Sequence, residues 1–211
     1  MNRAFGPLSS ANMHTRPLKI DGAWEFTPRA FSDDRGVFLE WFKAEVFADT
    51  VGHPLTVAQA NQSVSARGVL RGLHYAAVPP SQAKYVYCPQ GAVLDVVVDI
   101  RVGSPTFGEW DAVQLDDVDR RAVYVAEGLG HAFMSLADGS AVTYLCSTGY
   151  NPAGEFGTDP LDAELGLPWP ADIAPILSAK DAAAPSLREA QAQGLLPTLA
   201  ACEQLYATLR S

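Results

Sequence analysis

The chain has 211 residues, a net charge of −9 and a hydrophobic content of 48%. This size and composition predict a single globular domain and exclude global disorder. The chain has no run near the roughly 18 apolar residues of a membrane span, and an acidic chain without a basic tract is not expected to bind nucleic acid. The N-terminal segment lacks the apolar core of a signal peptide, so we expect a cytoplasmic protein with no membrane partner.

The first 17 residues are polar and irregular, which predicts a flexible N-terminal tail (1–17) and one domain over residues 18–211. From Leu18 to about Cys146, short apolar segments are separated by turn clusters such as Gly103–Thr106 and Ala137–Ser140. Strands at this spacing, without intervening helices, favour an antiparallel sandwich or barrel. The β core is therefore expected over about residues 18–150.

The clearest strand is predicted for Gly91–Arg101, which is rich in β-branched residues. Its apolar residues fall at alternate positions, starting at Leu94, and this spacing places them on one face. The opposite face carries Asp95 and Asp99 together with valines. This strand is therefore expected to present acidic side chains to a polar neighbour.

The C-terminal region, residues 151–211, begins with a segment rich in Pro, Gly and Asp that predicts ordered loops up to about Pro185. Two short helices are predicted after it, over Ser186–Gly194 and Leu199–Leu209, separated at Pro197. The fold class that follows is mainly β, with short C-terminal helices.

One segment concentrates cations around a histidine. It runs from Arg67 through Arg71 and His74 to Lys84, and in an acidic chain this cluster predicts a site that binds an anion and moves a proton. Arg71 and His74 are an odd number of residues apart, so on an ideal strand they would face opposite sides. Either Gly72 marks a bulge that redirects them, or the site bends over a strand end.

A series of short motifs carries a resemblance to a known family. In chain order they are Asp34–Glu40, Gln59–Ser65, Leu70–His74, Gln82–Lys84, Asp95–Arg101, Ser104–Gly108, Gly130–Phe133, Tyr144, Tyr150, Asp159–Pro160, Trp169–Pro170 and Leu177–Asp181. In this order and spacing, the chain from about Leu18 to Leu187 resembles the dTDP-4-dehydrorhamnose 3,5-epimerase family. The resemblance implies a cupin or jelly-roll antiparallel β-barrel.

The resemblance also implies a reaction. The substrate would be a dTDP-linked 4-keto-6-deoxy sugar used in deoxysugar biosynthesis. Its C4 ketone acidifies the protons at C3 and C5, so inversion needs a base on one face of the sugar and an acid on the other. The family requires no cofactor and no metal for this chemistry.

Catalytic roles follow from the resemblance at four positions. His74 would be the base, with Asp181 holding its other ring nitrogen in the correct tautomer. Lys84 would stabilise the enolate, with Asp95 behind it as a partner. Tyr144 would deliver the proton from the opposite face.

Substrate-binding roles follow at nine further positions. The resemblance assigns diphosphate contacts to Arg35, Arg71 and Lys180. It assigns nucleotide or sugar contacts to Glu40, Gln59, Asn61 and Glu155, stacking on thymine to Tyr150, and a substrate contact to His131. In the family, N-terminal strands cross between subunits, so Arg35 and Glu40 are expected to serve a neighbouring site in a homodimer.

Three alternatives remain open on the sequence. The first is a single-centre epimerase of the same family, because Glu189–Thr198 resembles the branch that makes sugars for natural products. The second is a metal-dependent cupin enzyme, although His74 and His131 are few and no HxH pair exists. The third is a sugar-nucleotide-binding module without activity, which would not need His74, Lys84 and Tyr144 together.

The three cysteines, Cys88, Cys146 and Cys202, are odd in number and widely spaced. They predict neither a disulfide framework nor a structural zinc site, and they are expected to be small buried hydrophobic residues.

Overall fold

The structure is a computed structural model, and it describes residues 12–211. Most of the predicted tail, residues 1–11, lies outside the described residues. The tail was predicted to extend to residue 17, but its last five residues form the first strand, β1 (Met13–Pro17). This strand pairs antiparallel with β2 (Ala23–Pro28). Because β1 lies at a sheet edge, it tolerates the polar residues and the proline that had indicated a loop.

Two antiparallel sheets form the body of the protein. The six-stranded sheet contains, in spatial order, β1, β2, β10 (Ala122–Val125), β7 (Lys84–Gln90), β12 (Ser140–Cys146) and β5 (Gln59–Ser65). The five-stranded sheet contains β13 (Glu155–Gly157), β6 (Leu70–Ala76), β11 (Gly130–Ser135), β8 (Ala92–Val98) and β9 (Trp110–Asp116). A separate hairpin joins β3 (Phe31–Asp33) and β4 (Gly36–Phe38).

The main hydrophobic core lies between the two sheets. Its largest cluster joins Val86 and Val142 of the six-stranded sheet to Val93 and Val97 of the five-stranded sheet. Sheets that share one apolar interior in this way form a sandwich or closed barrel. The predicted antiparallel jelly-roll architecture is confirmed.

The predicted strand Gly91–Arg101 is observed as β8, and its two faces separate as expected. Val96 and Val98 lie in an outer cluster, whereas Val93 and Val97 lie in the core between the sheets. Asp95 therefore points into the barrel. Its side chain is completely buried and bonds to a histidine of the next strand.

One helix interrupts the predicted run of strands. No helix was predicted before Cys146, and this is wrong at α1 (Ala44–Val51). Val46 and Phe47 favour strands, so the segment was ambiguous in the sequence. The ring of Phe47 stacks on Phe26 at 5.9 Å, so α1 covers the outer face of the six-stranded sheet. The available signal was Gly52, which ends the helix with φ at +91°.

Three helices lie in the C-terminal region: α2 (Ala179–Ala182), α3 (Leu187–Ala192) and α4 (Leu199–Leu209). The two predicted helices are confirmed as α3 and α4. The predicted loop region is wrong at β13 and α2, which are too short to show a period in the sequence. Within residues 12–211, no helix is long and apolar enough to cross a membrane.

The C-terminal region packs on the outer face of the five-stranded sheet. There Leu165, Leu187 and Leu196 join Leu73 and Val96 in one buried cluster. This packing carries the chain back over β6 and so places α2 next to the barrel interior.

A β-bulge in β6 resolves the odd spacing of Arg71 and His74. Arg71 lies opposite Phe133 of β11 and His74 lies opposite His131, so β6 advances three residues where β11 advances two. The extra residue at Gly72 and Leu73 reverses the alternation of side chains, so Arg71 and His74 line the same cavity. Of the two explanations that the sequence left open, the bulge at Gly72 is therefore the one observed.

We expect Gly72→Ala to lower the free energy of unfolding by at least about 2 kcal/mol, from backbone strain and overpacking. Gly72 has φ at +131°, and an added Cβ would lie 2.4 Å from the Cβ of Ala132. Chemical denaturation measures the change. Gly36→Ala is the matched control, because Gly36 has φ at +126° and an added Cβ would meet no atom of residues 12–211 within 4 Å. Equal losses in the two variants would show that the close approach to β11 is unimportant.

Candidate active site

A cavity of about 390 Å³ opens between the two sheets. Its wall brings together nine of the predicted site residues: Arg71, His74, Lys84, His131, Tyr144, Tyr150, Glu155, Lys180 and Asp181. They come from both sheets, from α2 and, for Tyr150, from the loop between β12 and β13. Strand pairing and C-terminal packing thus assemble residues that are up to 110 positions apart in the sequence.

The first feature of the site is a pair formed by His74 and Asp181. The Nε2 atom of His74 lies 2.7 Å from Oδ1 of Asp181, which is almost buried, while the imidazole remains 37% exposed. A carboxylate can only accept a hydrogen bond, so Nε2 carries a hydrogen, and in the neutral ring Nδ1 keeps its lone pair. The pair therefore contains a free basic nitrogen at the cavity.

The surroundings of Asp181 keep it ionised. Burial raises the pKa of this carboxyl, but the hydrogen bonds from His74 and Ser178 and the charge of Lys180 outweigh burial and leave the pKa below its usual value. Ser178 is the N-cap of α2, and its hydroxyl accepts the backbone N–H of Asp181 at 3.1 Å. The short helix thus fixes the carboxylate behind the imidazole.

A second pair, formed by His131 and Asp95, lies beside the first. His131 is directly opposite His74 across β11 and β6, and its Nε2 atom is 2.7 Å from Oδ2 of Asp95. Both side chains are buried. The resemblance had placed Asp95 behind Lys84, but its hydrogen bond is to His131, because β8 and β11 are neighbours whereas β7 belongs to the other sheet.

The opposite wall of the cavity carries Lys84 and Tyr144. They lie on the neighbouring strands β7 and β12, with Nζ of Lys84 6.0 Å from the centre of the Tyr144 ring. Burial lowers the pKa of Lys84, although the nearby Cys146, Glu155 and Asp95 favour its charged form. Burial also raises the pKa of Tyr144, so its hydroxyl remains protonated near neutral pH.

Cationic side chains surround the cavity mouth. Arg71 and Lys180 are both exposed at the cavity wall, and Nε of Arg71 donates to the hydroxyl of Ser65 at 3.2 Å. Tyr150 presents a 62% exposed ring beside them. This combination of cations and an exposed ring can hold a phosphate and a flat base.

Gln59 and Asn61 lie behind the mouth rather than in the cavity wall. Nε2 of Gln59 donates to Oδ1 of Asn61 at 2.8 Å, and Oε1 of Gln59 accepts the backbone N–H of Tyr150 at 2.9 Å. Nδ2 of Asn61 is 3.7 Å from Sγ of Cys146. The two amides therefore bind one another and the strand beside them.

Arg35 and Glu40 are not among the cavity residues of their own chain. Arg35 lies at the turn of the β3–β4 hairpin, where its guanidinium pairs with Asp33 and is 85% exposed. Glu40 follows the same hairpin. The structure does not bring these two predicted residues to the rest of the site.

Several cavity residues had no sequence prediction, among them Ser63, Phe133, Phe156 and Ser178. Alternation along β5 could have identified Ser63, because it lies on the same face as Asn61 and Ser65. The hydroxyl of Ser63 is buried without a hydrogen-bond partner in the described part of the chain. Phe133 and Phe156 resemble ordinary core residues in the sequence.

Comparison with known proteins gives one family. The family model described as dTDP-4-dehydrorhamnose 3,5-epimerase matches residues 17–189. A dTDP-4-dehydrorhamnose 3,5-epimerase from Mycolicibacterium smegmatis is 60% identical over 198 residues, covering 94% of this chain and 98% of the relative. A dTDP-4-dehydrorhamnose 3-epimerase from Streptomyces niveus is 55% identical and covers 90% of this chain and 92% of the relative.

A solved structure agrees with these relatives. ChmJ, a 3'-monoepimerase from Streptomyces bikiniensis crystallised with dTDP-quinovose, superposes with a TM-score of 0.90 at 52% identity, covering 92% of this chain and 98% of ChmJ. A variant of ChmJ in complex with dTDP has also been solved, in which a histidine is replaced by asparagine and a tyrosine 70 positions later by phenylalanine.

Proposed function

Because the chain belongs to the dTDP-4-dehydrorhamnose 3,5-epimerase family, we propose that it inverts C3, C5 or both in a dTDP-4-keto-6-deoxyhexose without a cofactor. One observation carries this proposal. The His74–Asp181 pair stands on one wall of the cavity, and Lys84 and Tyr144 stand on the other. A sugar ring between the walls has a base on one face and an acid on the other, as inversion requires.

His74 begins the reaction as the base. Its unprotonated Nδ1 removes the proton next to the C4 ketone, and the imidazolium that forms is stabilised by the ionised Asp181. The strand bulge supports this role, because it turns His74 toward the cavity together with Arg71.

Lys84 stabilises the enolate. Proton removal moves negative charge onto the C4 oxygen, and a positioned ammonium in the cavity wall stabilises that charge as it develops. His131, held by Asp95, lies on the facing strand wall and contacts the sugar from the side of the base.

Tyr144 completes the inversion by donating a proton to the opposite face of the enolate. Its protonated hydroxyl and its place on the wall facing His74 support this role. The ChmJ variant adds support, because the two residues replaced there are 70 positions apart and His74 and Tyr144 have the same separation.

The nucleotide lies at the cavity mouth. Arg71 and Lys180 bind the diphosphate, Tyr150 stacks on thymine, and Glu155 contacts the nucleotide or sugar. The exposure of the two cations in an otherwise acidic chain supports this arrangement. Guanidinium provides a planar pair of donors that suits phosphate oxygens.

We expect Arg71→Ala to weaken dTDP binding by roughly 10-fold to 150-fold, the loss of about 1.5–3 kcal/mol for a charge-assisted contact. The turnover number should fall less, because Arg71 does not contact the reacting carbons. Calorimetric titration with dTDP measures the affinity. Arg67→Ala is the control, because Arg67 pairs with Asp172 at the surface instead of lining the cavity. Unchanged affinity in Arg71→Ala would assign Arg71 a structural role.

A homodimer accounts for Arg35 and Glu40. The exposed β3–β4 hairpin carries Arg35 away from the cavity of its own chain, so both residues would act in the site of a second copy. Mixing an Arg35→Ala chain with a His74→Ala chain tests this proposal. Partial recovery of activity in the mixture is expected if each site combines two chains. No recovery from two impaired chains would contradict a shared site, and full activity of the Arg35→Ala chain alone would place Arg35 outside the site.

The test of the function is turnover of dTDP-4-keto-6-deoxyglucose by chelator-treated protein, followed by NMR. Inversion at C3, C5 or both is expected without added metal or nicotinamide. Activity that disappears on chelation and returns with one divalent metal would instead support the metal-dependent cupin enzyme. Within residues 12–211, no three His, Cys, Asp or Glu side chains are grouped as ligands for such a metal. Binding of dTDP without turnover would support the binding module.

A further inference from the structure

The interior face of β5 places Asn61 beside the proposed acid. In the register of β5 and β12, Asn61 is the direct partner of Tyr144, and Gln59 is the direct partner of Cys146. Direct partners in an antiparallel pair project from the same face of the sheet. The Asn61 amide therefore lies beside the Tyr144 side chain, and its presence there lowers the pKa of the phenol, against the larger effect of burial.

The orientation of both amides is fixed by one backbone group. The N–H of Tyr150 can only donate, so the atom of Gln59 that lies 2.9 Å from it is the carbonyl oxygen. The amide nitrogen of Gln59 then faces Asn61 at 2.8 Å, and it requires the carbonyl oxygen of Asn61 as its acceptor. The Nδ2 group of Asn61 is left to donate toward Cys146 and Tyr144.

We propose that Asn61 is a positioning residue for Tyr144: its amide nitrogen holds the phenol oxygen, so the hydroxyl hydrogen points into the cavity toward the carbon to be reprotonated. This inference rests on the proposed function. It differs from the substrate contact that the family resemblance assigns to Asn61, because it directs the amide to the phenol instead of to the ligand.

The direction of the hydrogen bond has a chemical consequence. A donor on the phenol oxygen leaves the phenolic hydrogen unused by the protein, so it is available to the enolate. The same donor stabilises the phenolate that remains after proton transfer. An acceptor at position 61 would do the opposite, since it would bind the phenolic hydrogen and turn it away from the cavity.

The experiment uses Asn61→Ala, Asn61→Asp and the control Gln62→Ala. Gln62 is on the same strand but on its exposed outer face. For each protein, NMR in deuterated water gives the rate of deuterium exchange next to the ketone and the rate of inversion. Calorimetry gives the affinity for dTDP. Asn61→Asp keeps the shape of the side chain, so it covers the case in which Asn61→Ala fails to fold.

In Asn61→Ala we expect inversion to slow by about 10-fold to 100-fold, as a displaced catalytic group does. Exchange and dTDP affinity should stay within about twofold, because His74 and the phosphate contacts are untouched. Asn61→Asp should show the same pattern despite its matched shape, and Gln62→Ala should behave as wild type. If exchange, inversion and dTDP affinity fall together, Asn61 contacts substrate and the proposal is wrong.

A second measurement does not depend on turnover. The phenol of Tyr144 can be titrated by NMR in protein labelled with carbon-13 tyrosine, with Tyr144→Phe identifying its signal. Loss of the Asn61 donor should raise the pKa of Tyr144, and an unchanged pKa would overturn the proposal. Failure of the proposed function is a different result, in which wild-type protein neither exchanges nor inverts while this titration still shifts.

Discussion

Replacing His74 with alanine is expected to lower kcat by at least about 100-fold, the lower end of the usual contribution of a general base. The variant loses the imidazole that the structure joins to Asp181 at the cavity, which is the proposed base. Affinity for dTDP should change by less than about twofold, because the proposed diphosphate contacts belong to other residues. Steady-state kinetics and calorimetric titration give the two values.

His14→Ala is the matched control for this result. His14 is exposed on the edge strand β1 and lies outside the cavity, so its removal should not alter kcat. If His74→Ala keeps near-native turnover, His74 is a structural residue and the proposed mechanism fails. If dTDP affinity falls as much as kcat, His74 acts in binding instead.

Replacing Tyr144 with phenylalanine is expected to slow inversion by at least about 100-fold through loss of the general acid. Only the hydroxyl is removed, so the ring packing on β12 is preserved. Tyr75→Phe is the control, because the hydroxyl of Tyr75 is buried without a hydrogen-bond partner in the described residues and lies outside the cavity. Inversion at the wild-type rate in Tyr144→Phe would transfer the role of acid to Tyr150 or to water.

The sequence predicted the β architecture well because alternation and turn residues record which faces are buried. It failed at β1 and α1. β1 gains its structure from pairing with the next strand, β2, and the Asp21–Gly22 turn between them was a signal for this hairpin. α1 gains its stability from the contact of Phe47 with Phe26, which has no local signature in the sequence.

The sequence predicted which residues belong to the site, but not which of them hydrogen-bond to one another. Nine of the predicted residues meet in one cavity. The pairing of His131 with Asp95 depends on strand order and register, which a single sequence does not specify. Gln59 and Asn61 share one face of β5 by alternation, but the hydrogen bond between their amides was not predicted. One geometric feature could be anticipated: the odd spacing of Arg71 and His74 required a bulge or a bend, and Gly72 marked the place of the bulge.

The most direct test of the central claim, that base and acid stand on opposite walls, is deuterium exchange in Tyr144→Phe compared with His74→Ala. In deuterated water, Tyr144→Phe should still form the enolate, and His74 should return deuterium to the original side. The account therefore predicts label next to the ketone with little inversion in Tyr144→Phe, and neither label nor inversion in His74→Ala. Exchange that survives in His74→Ala, or inversion that keeps pace with exchange in Tyr144→Phe, would contradict it.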